Sequence, residues 1–291
     1  MHTLLLHNSA ICAAGKSLIS PGQVGFLNGW GVFSTIRVKD GVLFAFERHY
    51  ARMKRDASRM RVPFEASAAE LERDLLRLVE ANQAFNATLR VAVVRNRGGQ
   101  FEGPAIERDA DRIAFTADLT QWGSGVNLMY VAHGRYSASP FAGTKVTSWL
   151  QNLCWNEEAH ERGFDEVILL NERGLVSECT SANIFAIRGP EVWTPTLAGS
   201  GCLPGVTRAL LLEEIHVPGL QLIERDFTPR ELEEADQVFI TSTTRDLLPV
   251  DAVEGRKLRR NHTAFARLLD AFHQYQSSYV AARDNQKEVM R

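Results

Sequence analysis

Strand-like and helix-like segments follow one another in this sequence without a strict strand–helix–strand rhythm, and this irregular order constrains the fold most. Asp40-Gly41 separates two β-branched and aromatic runs, 32–38 and 42–46, which is a strong signal for a β-hairpin. Helical spacing of apolar residues follows over 47–60 and again over 68–81. A doubly wound parallel sheet needs regular alternation, so the pattern favours an α+β fold.

Chain length predicts two domains. At 291 residues the chain is longer than a typical single domain. The short Gly-rich stretch QWGSG, residues 121–125, has the composition of a linker. We expect a small N-terminal domain over 1–120, the linker over 121–125, and a larger C-terminal domain over 126–291.

Composition argues against several classes of protein. Hydrophobic residues make up 45% of the chain and the net charge is -2, so we expect no broad basic face for nucleic acid or an anionic membrane. The apolar runs are too short for a signal peptide or a membrane span. The four cysteines form no CxxC pair and no zinc-ligand spacing with histidine. We therefore expect no metal site, reduced thiols and a cytoplasmic protein.

Lys145 lies in Gly-Thr-Lys-Val-Thr-Ser, residues 143–148, at the start of a predicted helix over 147–162. Taken alone, a lysine is most often a solvated surface residue. A buried or electropositive setting would instead make its amine a nucleophile, as in a Schiff-base lysine. Glu178 is the second residue of the run SECTSANIF, which begins at Ser177, and it has two interpretations as well. It is either a strand-end charge or the partner of the pyridine nitrogen of pyridoxal 5′-phosphate (PLP).

Two segments have the chemistry of phosphate-binding loops. The run CLPGVTR, 202–208, enters a predicted helix whose first N–H groups would attract an anion. Gly205 allows close approach there, and Thr207 adds a hydroxyl. The run TSTT, 241–244, follows a predicted strand and either binds phosphate or caps a loop. Each signal is weak alone, because Pro-Gly turns and capped loops are common.

Together and in this order, the four segments resemble the fold-type IV PLP enzymes, a family of branched-chain aminotransferases, D-amino acid aminotransferases and aminodeoxychorismate lyases. The resemblance runs from about 25 to 255, and LPGVTR with SECTSANIF is its most specific part. It implies a two-domain α+β fold, with a small N-terminal α/β domain and a C-terminal domain with a β-barrel-like core. It also implies a homodimer with the active site in the cleft between the domains, near a loop of the partner subunit.

The resemblance assigns PLP as the cofactor and gives roles by position. Lys145 would form the Schiff base and move the proton, and Glu178 would face the pyridine nitrogen. Leu203 would pack against the ring. The groups expected to bind the phosphate are the helix arginine of HYAR and residues of the two loops: Arg52, Gly205, Val206, Thr207, Thr243 and Thr244.

The same resemblance predicts an aminotransferase that moves an amino group between an amino acid and a 2-oxo acid, with a branched-chain type favoured because the LPGVTR segment varies more in the lyases. An aminodeoxychorismate lyase is the alternative, since many branched-chain enzymes resemble GVFEGIR where this chain has GVFSTIR, and lyases often carry a hydroxyl pair there. D-amino acid aminotransferases carry a closely spaced Arg and His after the next strand, whereas 95–100 contains no His. A non-catalytic PLP carrier is disfavoured, because a mere binder would not need both Lys145 and Glu178.

Substrate contacts are expected from the first hairpin and from the strand that follows the second helix. The candidates are Phe33, Ser34, Arg37, Arg90 and Arg95. Arg90 has an equally good interpretation as an outward-facing strand residue. Trp149 stands where several relatives place a tyrosine near the cofactor, and its indole can only donate a hydrogen bond. The preferred side chain, the amino acceptor and the stereochemistry stay open.

Overall fold

A computed structural model describes residues 1–16, 19–100, 102–103, 106–260 and 262–289. These residues form a mixed α+β fold, as predicted. Two compact units divide the chain. The first holds Met1–Thr120, Thr144–Trp149 and Ser277–Arg291, and the second holds Gln121–Gly143 and Leu150–Gln276. The predicted domain limits and linker stay a prediction. The segment that contains Lys145, which we assigned to the C-terminal domain, has its contacts mainly in the first unit.

The first unit is built on a six-stranded antiparallel sheet, in which two further strands, absent from our prediction, precede the hairpin. The strands are β1 Leu4–His7, β2 Ala10–Ala13, β3 Gly31–Lys39, β4 Val42–Leu43, β5 Ala87–Arg95 and β6 Ala110–Ala117, in the spatial order β2-β1-β6-β5-β3-β4. The helices are α1 Val24–Asn28, α2 Phe46–Arg59 and α3 Ala68–Ala81.

The β3–β4 hairpin is confirmed. Asp40 and Gly41 have φ angles of 50° and 75°, and Lys39 pairs with Val42 across this two-residue turn. Two consecutive positive φ angles are the geometry of a type I′ turn, whose twist matches that of the strands. The second strand is shorter than predicted, because Ala45 adopts the left-handed region at φ 51° and α2 begins at once.

The two long helices of the first unit bury different kinds of side chain. Helix α3 begins with a capping box between Ser67 and Glu70 and buries Leu71, Leu75, Leu78 and Val79, as its apolar spacing predicts. The apolar spacing in α2 predicts Tyr50, Met53, Ala57 and Met60 on the inner face, but Tyr50 and Met60 are only half-buried. The buried residues of α2 are Phe46, His49, Arg52, Met53, Asp56 and Ala57, so half of its inner face is polar. Buried polar groups need partners, so the polar side chains of this face must be paired inside the protein.

The segment that carries Lys145 is extended, not helical. Val146 forms a β-bridge with Val32, and the N–H of Phe33 donates to the carbonyl oxygen of Lys145 at 3.1 Å. The N–H of Thr147 donates to the carbonyl of Gly31 at 2.9 Å. The helix that we predicted from 147 therefore begins only at Leu150. These contacts fix the backbone of Lys145 alongside β3.

The second unit is built on a nine-stranded mixed sheet that curls around its core as a half-barrel. Its strands are β7 Val126–Arg135, β8 Glu166–Asn171, β9 Val176–Cys179, β10 Asn183–Arg188, β11 Glu191–Thr194, β12 Gln221–Glu224, β13 Gln237–Ser242, β14 Asp246–Val253 and β15 Arg256–Lys257. They follow the order β12-β11-β10-β13-β14-β7-β8-β9, and β15 pairs with β14. The remaining helices are α4 Leu150–Glu161, α5 Leu197–Ser200, α6 Val206–Glu213, α7 Pro229–Glu233 and α8 His262–Val289.

Strands β10 and β13 are antiparallel neighbours in this sheet and carry a stacked pair of aromatic rings. The rings of Phe185 and Phe239 stack there with centroids 5.0 Å apart, and both side chains are fully buried. Burial of such side chains stabilises the sheet by about 2 kcal/mol each.

Helix α8, His262–Val289, contacts α2 of the first unit through its C-terminal half. Arg283 donates to a carboxylate oxygen of Glu47 at 3.1 Å, and the hydroxyl of Tyr279 donates to the same oxygen at 2.7 Å. Burial and the hydrogen bond to Glu47 raise the pKa of Tyr279, so it stays a donor. Within the described ranges, none of the helices combines the length and the apolar character needed to cross a membrane.

Candidate active site

Lys145 lies beside an aromatic pair in the first unit. Its Nζ is 4.7 Å from the centroid of the Phe33 ring and 5.8 Å from that of Trp149. The two rings meet edge to face with centroids 6.1 Å apart. The structure thus brings together two of the predicted site residues, Lys145 and Phe33, and Trp149 lies beside both of them.

Arg90 joins the same aromatic pair from β5. Its guanidinium carbon lies 3.9 Å from the Phe33 ring centroid and 6.0 Å from the Trp149 centroid. Burial lowers the pKa of Arg90, but an arginine keeps its charge at neutral pH. Arg90 is therefore not an outward strand residue: a fixed cation and the amine of Lys145 lie over one aromatic ring.

The other two arginines proposed for the substrate have different surroundings. Arg37 lies on the Phe33 side of β3, because strand residues four apart face the same way, and it is partly buried. Arg95 donates to the carbonyl oxygens of Arg97 at 2.6 Å and Arg61 at 2.7 Å, and it stacks on Trp30. These contacts explain Arg95 as a brace of the loop after β5, while its substrate role stays a prediction.

Ser34 and Arg52 meet on the opposite face of β3. Nη2 of Arg52 donates to the Ser34 hydroxyl at 2.9 Å, and this hydroxyl lies 2.7 Å from Nδ1 of His49. Burial, with the positive charges of Arg52 and Lys145, lowers the pKa of His49. His49 is thus neutral at pH 7, which spares this buried group a third positive charge.

Glu178 has both carboxylate oxygens engaged in the second unit. Nε of Arg135 donates to Oε1 at 2.9 Å, and the backbone N–H of Leu203 donates to Oε2 at 3.1 Å. Arg135 also reaches Asn152 Oδ1 at 3.4 Å. The carboxylate of Glu178 is buried, and the two hydrogen bonds hold it in one orientation, which suits a group that contacts a single ligand atom.

The turn before α6 is held by Asn183. Its side-chain amide donates to the carbonyl oxygen of Leu203 at 2.9 Å, and a Cβ on Gly205 would collide with its side-chain oxygen. Gly205 is also the N-cap of α6, so no side chain caps the first N–H groups of the helix. Those N–H groups, which include the ones of Val206 and Thr207, have the chemistry that attracts an anion to a helix N-terminus.

The hydroxyl run 241–244 covers the end of β13 and the start of the turn to β14. Thr243 and Thr244 are half-buried in that turn. Thr241 donates to the carbonyl oxygen of Asp246 at 2.7 Å, which closes the base of the turn. Among the described residues, the buried hydroxyl of Ser242 has no hydrogen-bond partner. A buried donor without a partner is costly, so this hydroxyl marks a place for a polar ligand atom.

The buried thiols near these groups are not nucleophiles. Burial, with the nearby charge of Glu178, raises the pKa of Cys202 to about 12. Burial, with Glu166, raises the pKa of Cys179 well above its usual value. Both remain protonated at neutral pH, so Cys202 contributes packing to the turn before α6 and no covalent chemistry.

Four residues of the candidate site were not predicted from the sequence: His49, Asp56, Arg135 and Asn152. His49 and Asp56 did leave a signal, because with Arg52 they repeat at intervals of three and four along α2 and so share its inner face. Arg135 left none, since its partner Glu178 is distant in sequence and brought close only by the pairing of β7, β8 and β9.

Comparisons with known proteins identify the family of this chain. The family model for amino-transferase class IV matches residues 31–253, more than half of the chain. D-alanine aminotransferase from Bacillus licheniformis is 28% identical over 258 residues, covering 87% of this chain and 89% of the relative. Aminodeoxychorismate lyase from Vibrio harveyi is 27% identical over 239 residues, covering 80% and 86%.

Solved structures show the same fold. The branched-chain amino acid aminotransferase of Escherichia coli superposes with a TM-score of 0.86 at 23% identity, covering 95% of each chain. The predicted α+β, fold-type IV architecture is thereby confirmed. With the match over 31–253, the chain belongs to the class IV aminotransferases, a family of PLP-dependent enzymes, and PLP is its cofactor.

Proposed function

We propose that this protein is an aminotransferase that exchanges an amino group between an apolar amino acid of branched-chain type and a 2-oxo acid. One observation carries the proposal: the amine of Lys145 and the guanidinium of Arg90 lie over the same ring, that of Phe33, at 4.7 Å and 3.9 Å. An amino acid offers an amine and a carboxylate a few ångströms apart: the amine would take the place of the Lys145 amine on the cofactor, and the carboxylate would pair with the Arg90 guanidinium.

The residues present fit PLP. The uncapped start of α6 and the unsatisfied Ser242 hydroxyl suit a phosphate, and the oriented carboxylate of Glu178 suits a protonated pyridine nitrogen. Arg52 is buried and aimed by Ser34, as an arginine that binds one phosphate should be. We assign the phosphate contacts to Arg52, Gly205, Val206, Thr207, Thr243 and Thr244, and the contact with the ring to Leu203.

The bound cofactor supplies an aldehyde that condenses with amines and a ring that accepts electrons. We assign to Lys145 Nζ the covalent attachment of the cofactor and, once displaced by the substrate amine, removal of the substrate's Cα proton. Glu178 keeps the pyridine nitrogen protonated, since its carboxylate is held by Arg135 and the Leu203 N–H. Phe33 and Trp149 exclude water from around the amine and favour an apolar substrate side chain.

The lyase remains the second candidate because of Thr35, which follows Ser34 and lies on the Phe33 face of β3. The hydroxyl pair that favoured the lyase is only half accessible, however. Ser34 is fully buried and its hydroxyl is used by Arg52 and His49. These contacts support the aminotransferase over the lyase, and they do not support a direct substrate role for Ser34.

A homodimer in the cytoplasm is the setting that we propose. Leu150 and Leu153 project from α4 with 73% and 54% of their surface exposed, and Phe26 and Leu27 are similarly exposed on α1. Large apolar side chains at such exposure suit burial against a second copy. All four cysteines are free thiols, as in a reducing compartment.

A substrate panel tests the function. The purified protein, loaded with PLP, is supplied with both enantiomers of each amino acid and 2-oxoglutarate, and 2-oxo acid products are measured. We expect turnover of branched-chain L-amino acids, with loss of at least 1000-fold in Lys145→Ala and no loss in Lys257→Ala, an exposed lysine on β15. Pyruvate from aminodeoxychorismate, without any 2-oxo acid from the panel, would establish the lyase instead.

The role of Arg90 can be tested separately. Arg90→Leu should raise KM for the amino acid about tenfold or more while PLP absorbance is retained, because only the carboxylate contact is lost. Arg95→Leu is the matched control, since Arg95 braces the loop after β5. Equal KM values for the Arg90 variant and the wild type would remove the carboxylate contact from the proposal.

A further inference from the structure

Asp56 contacts the backbone of Lys145. Its side chain is only 1% exposed, and its Oδ2 accepts the hydrogen bond of the Lys145 backbone N–H at 3.0 Å. Oδ1 accepts from Nε and Nη2 of Arg55 at 2.9 Å and 2.5 Å. Arg55 thus orients the carboxylate of Asp56 towards the backbone of Lys145.

The two peptide groups of Lys145 are held by different elements. Asp56 of α2 binds the N–H, and the N–H of Phe33 in β3 binds the carbonyl oxygen at 3.1 Å. With both peptide groups fixed, the direction of the Cα–Cβ bond is fixed as well. From this fixed origin the side chain of Lys145 extends over the Phe33 ring, where its Nζ lies.

Helix α2 relates this contact to the arginine proposed for the phosphate. Arg52 and Asp56 are four residues apart, so they lie on one face of the helix, one turn from each other. A rigid helix turn therefore sets the spacing between the guanidinium of Arg52 and the residue that carries the amine. Binding groups held on one regular element keep their geometry better than groups on loops.

We propose that Asp56 is a positioning residue for Lys145: from α2 its carboxylate fixes the Lys145 backbone, so that only the side chain moves when the amine leaves and returns to the cofactor. This inference rests on the proposed attachment of PLP at Lys145. A carboxylate also provides negative charge beside a group otherwise made of Arg52, Lys145 and the neutral His49.

The test measures attachment directly. Apo-protein is mixed with PLP, portions are quenched with borohydride to make the Lys145–PLP bond permanent, and the modified peptide is quantified by mass. Asp56→Ala should slow attachment roughly tenfold, the scale of one hydrogen bond to a charged acceptor. Asp56→Asn keeps an acceptor oxygen and should lie between Ala and wild type. Attachment at the wild-type rate in both variants would overturn the proposal.

Asp74 provides the matched control. It is equally buried on α3 of the same unit and pairs with Arg112 at 2.8 Å. Asp74→Ala and Asp74→Asn should lower thermal stability as the Asp56 variants do, yet leave the attachment rate at that of the wild type. Equal slowing in both pairs would assign a merely structural role to Asp56 and would overturn the proposal.

Amide hydrogen exchange separates this inference from the proposed function. In the apo-protein, exchange in the peptide that contains Lys145 should accelerate about tenfold in Asp56→Ala and stay unchanged in the Asp74 variants. Wild-type protein that attaches no PLP at Lys145 would overturn the proposed function and the inference with it. Wild-type attachment with unchanged exchange in the Asp56 variants would overturn the inference alone. If the Ala variant does not fold, the isosteric Asn variant decides both measurements.

Discussion

The hydroxyl oxygen of Ser34 lies 2.7 Å from Nδ1 of His49, and neither residue has any exposed surface. The same oxygen accepts a hydrogen bond from Arg52 at 2.9 Å. A residue of β3 therefore sets the direction of a guanidinium on α2. This buried contact links the strand that carries Phe33 to the arginine that we propose for the phosphate of PLP.

Ser34→Ala should weaken PLP binding. The change removes the acceptor that aims Arg52, and the loss of one such hydrogen bond corresponds to about 1 kcal/mol, or roughly fivefold in affinity. Equilibrium dialysis of PLP measures it. Ser177→Ala is the control, because the buried Ser177 hydroxyl has no hydrogen-bond partner among the described residues. Unchanged affinity in Ser34→Ala would mean that Arg52 is aimed by other contacts.

His49 should make the protein less stable as the pH falls. Its pKa is lowered in the folded chain by burial and by the charges of Arg52 and Lys145, whereas in the unfolded chain it is about 6.5. Below pH 6.5 the unfolded chain therefore binds a proton at His49 that the folded chain does not, so the free energy of unfolding decreases. Above pH 6.5 His49 does not change the free energy of unfolding with pH.

Urea unfolding at pH 7.5, 6.5 and 5.5 checks this sign. The loss of stability between 7.5 and 5.5 should be smaller in His49→Gln than in the wild type, even though the variant starts from a lower stability at pH 7.5. His160→Gln, at an exposed position on α4, should leave the wild-type slope unchanged. A steeper slope in His49→Gln would contradict the direction of the pKa shift.

Local sequence signals predicted much of the fold. Asp40-Gly41 predicted the hairpin because two positive φ angles suit few residue pairs, and apolar spacing predicted α3 over 68–81. Segments whose conformation depends on distant partners were harder. Residues 145–147 have no local strand signal and are extended only because β3 offers hydrogen-bonding groups beside them.

The candidate site shows the same division. Glu178 and the turn at Gly205 were predicted because the runs that carry them, SECTSANIF and LPGVTR, together resemble one family. Arg135 was not predicted, and the spacing of Asp56 from Arg52 indicated only a shared helix face, because their contacts with Glu178 and Lys145 depend on the fold. Such contacts join positions far apart in sequence, and no local pattern records them.

Glu178→Gln should separate binding from turnover. The amide keeps the size of the side chain but cannot hold a proton on the pyridine nitrogen, so we expect kcat to fall about 100-fold or more while PLP still binds. Glu166→Gln is the matched control: Glu166 is another buried carboxylate of the second unit and pairs with Arg245 at 3.2 Å. It should lose stability and keep kcat. Equal kcat in Glu178→Gln and wild type would remove Glu178 from the mechanism.

Gly205→Ala should damage the turn before α6. Its backbone conformation, φ -65° and ψ 145°, is open to any residue, so the reason for glycine is space: an added Cβ would collide with the side-chain oxygen of Asn183. Either Asn183 moves and gives up its hydrogen bond to the Leu203 carbonyl, or the turn moves away from it. In both cases the N–H groups at the start of α6 lose their direction.

We expect PLP affinity to fall at least tenfold in Gly205→Ala and stability to fall by about 1–3 kcal/mol, as in other overpacked sites. Gly123→Ala provides the comparison, since a Cβ there would meet only a carbonyl oxygen at an ordinary 3.7 Å. The double variant Gly205→Ala with Asn183→Ala makes room for the new methyl group. It should recover part of the lost stability but little PLP affinity, because the turn then lacks its support from Asn183. Recovery of full affinity would show that α6 binds PLP without that support, and the cost of Gly205→Ala would then be steric alone.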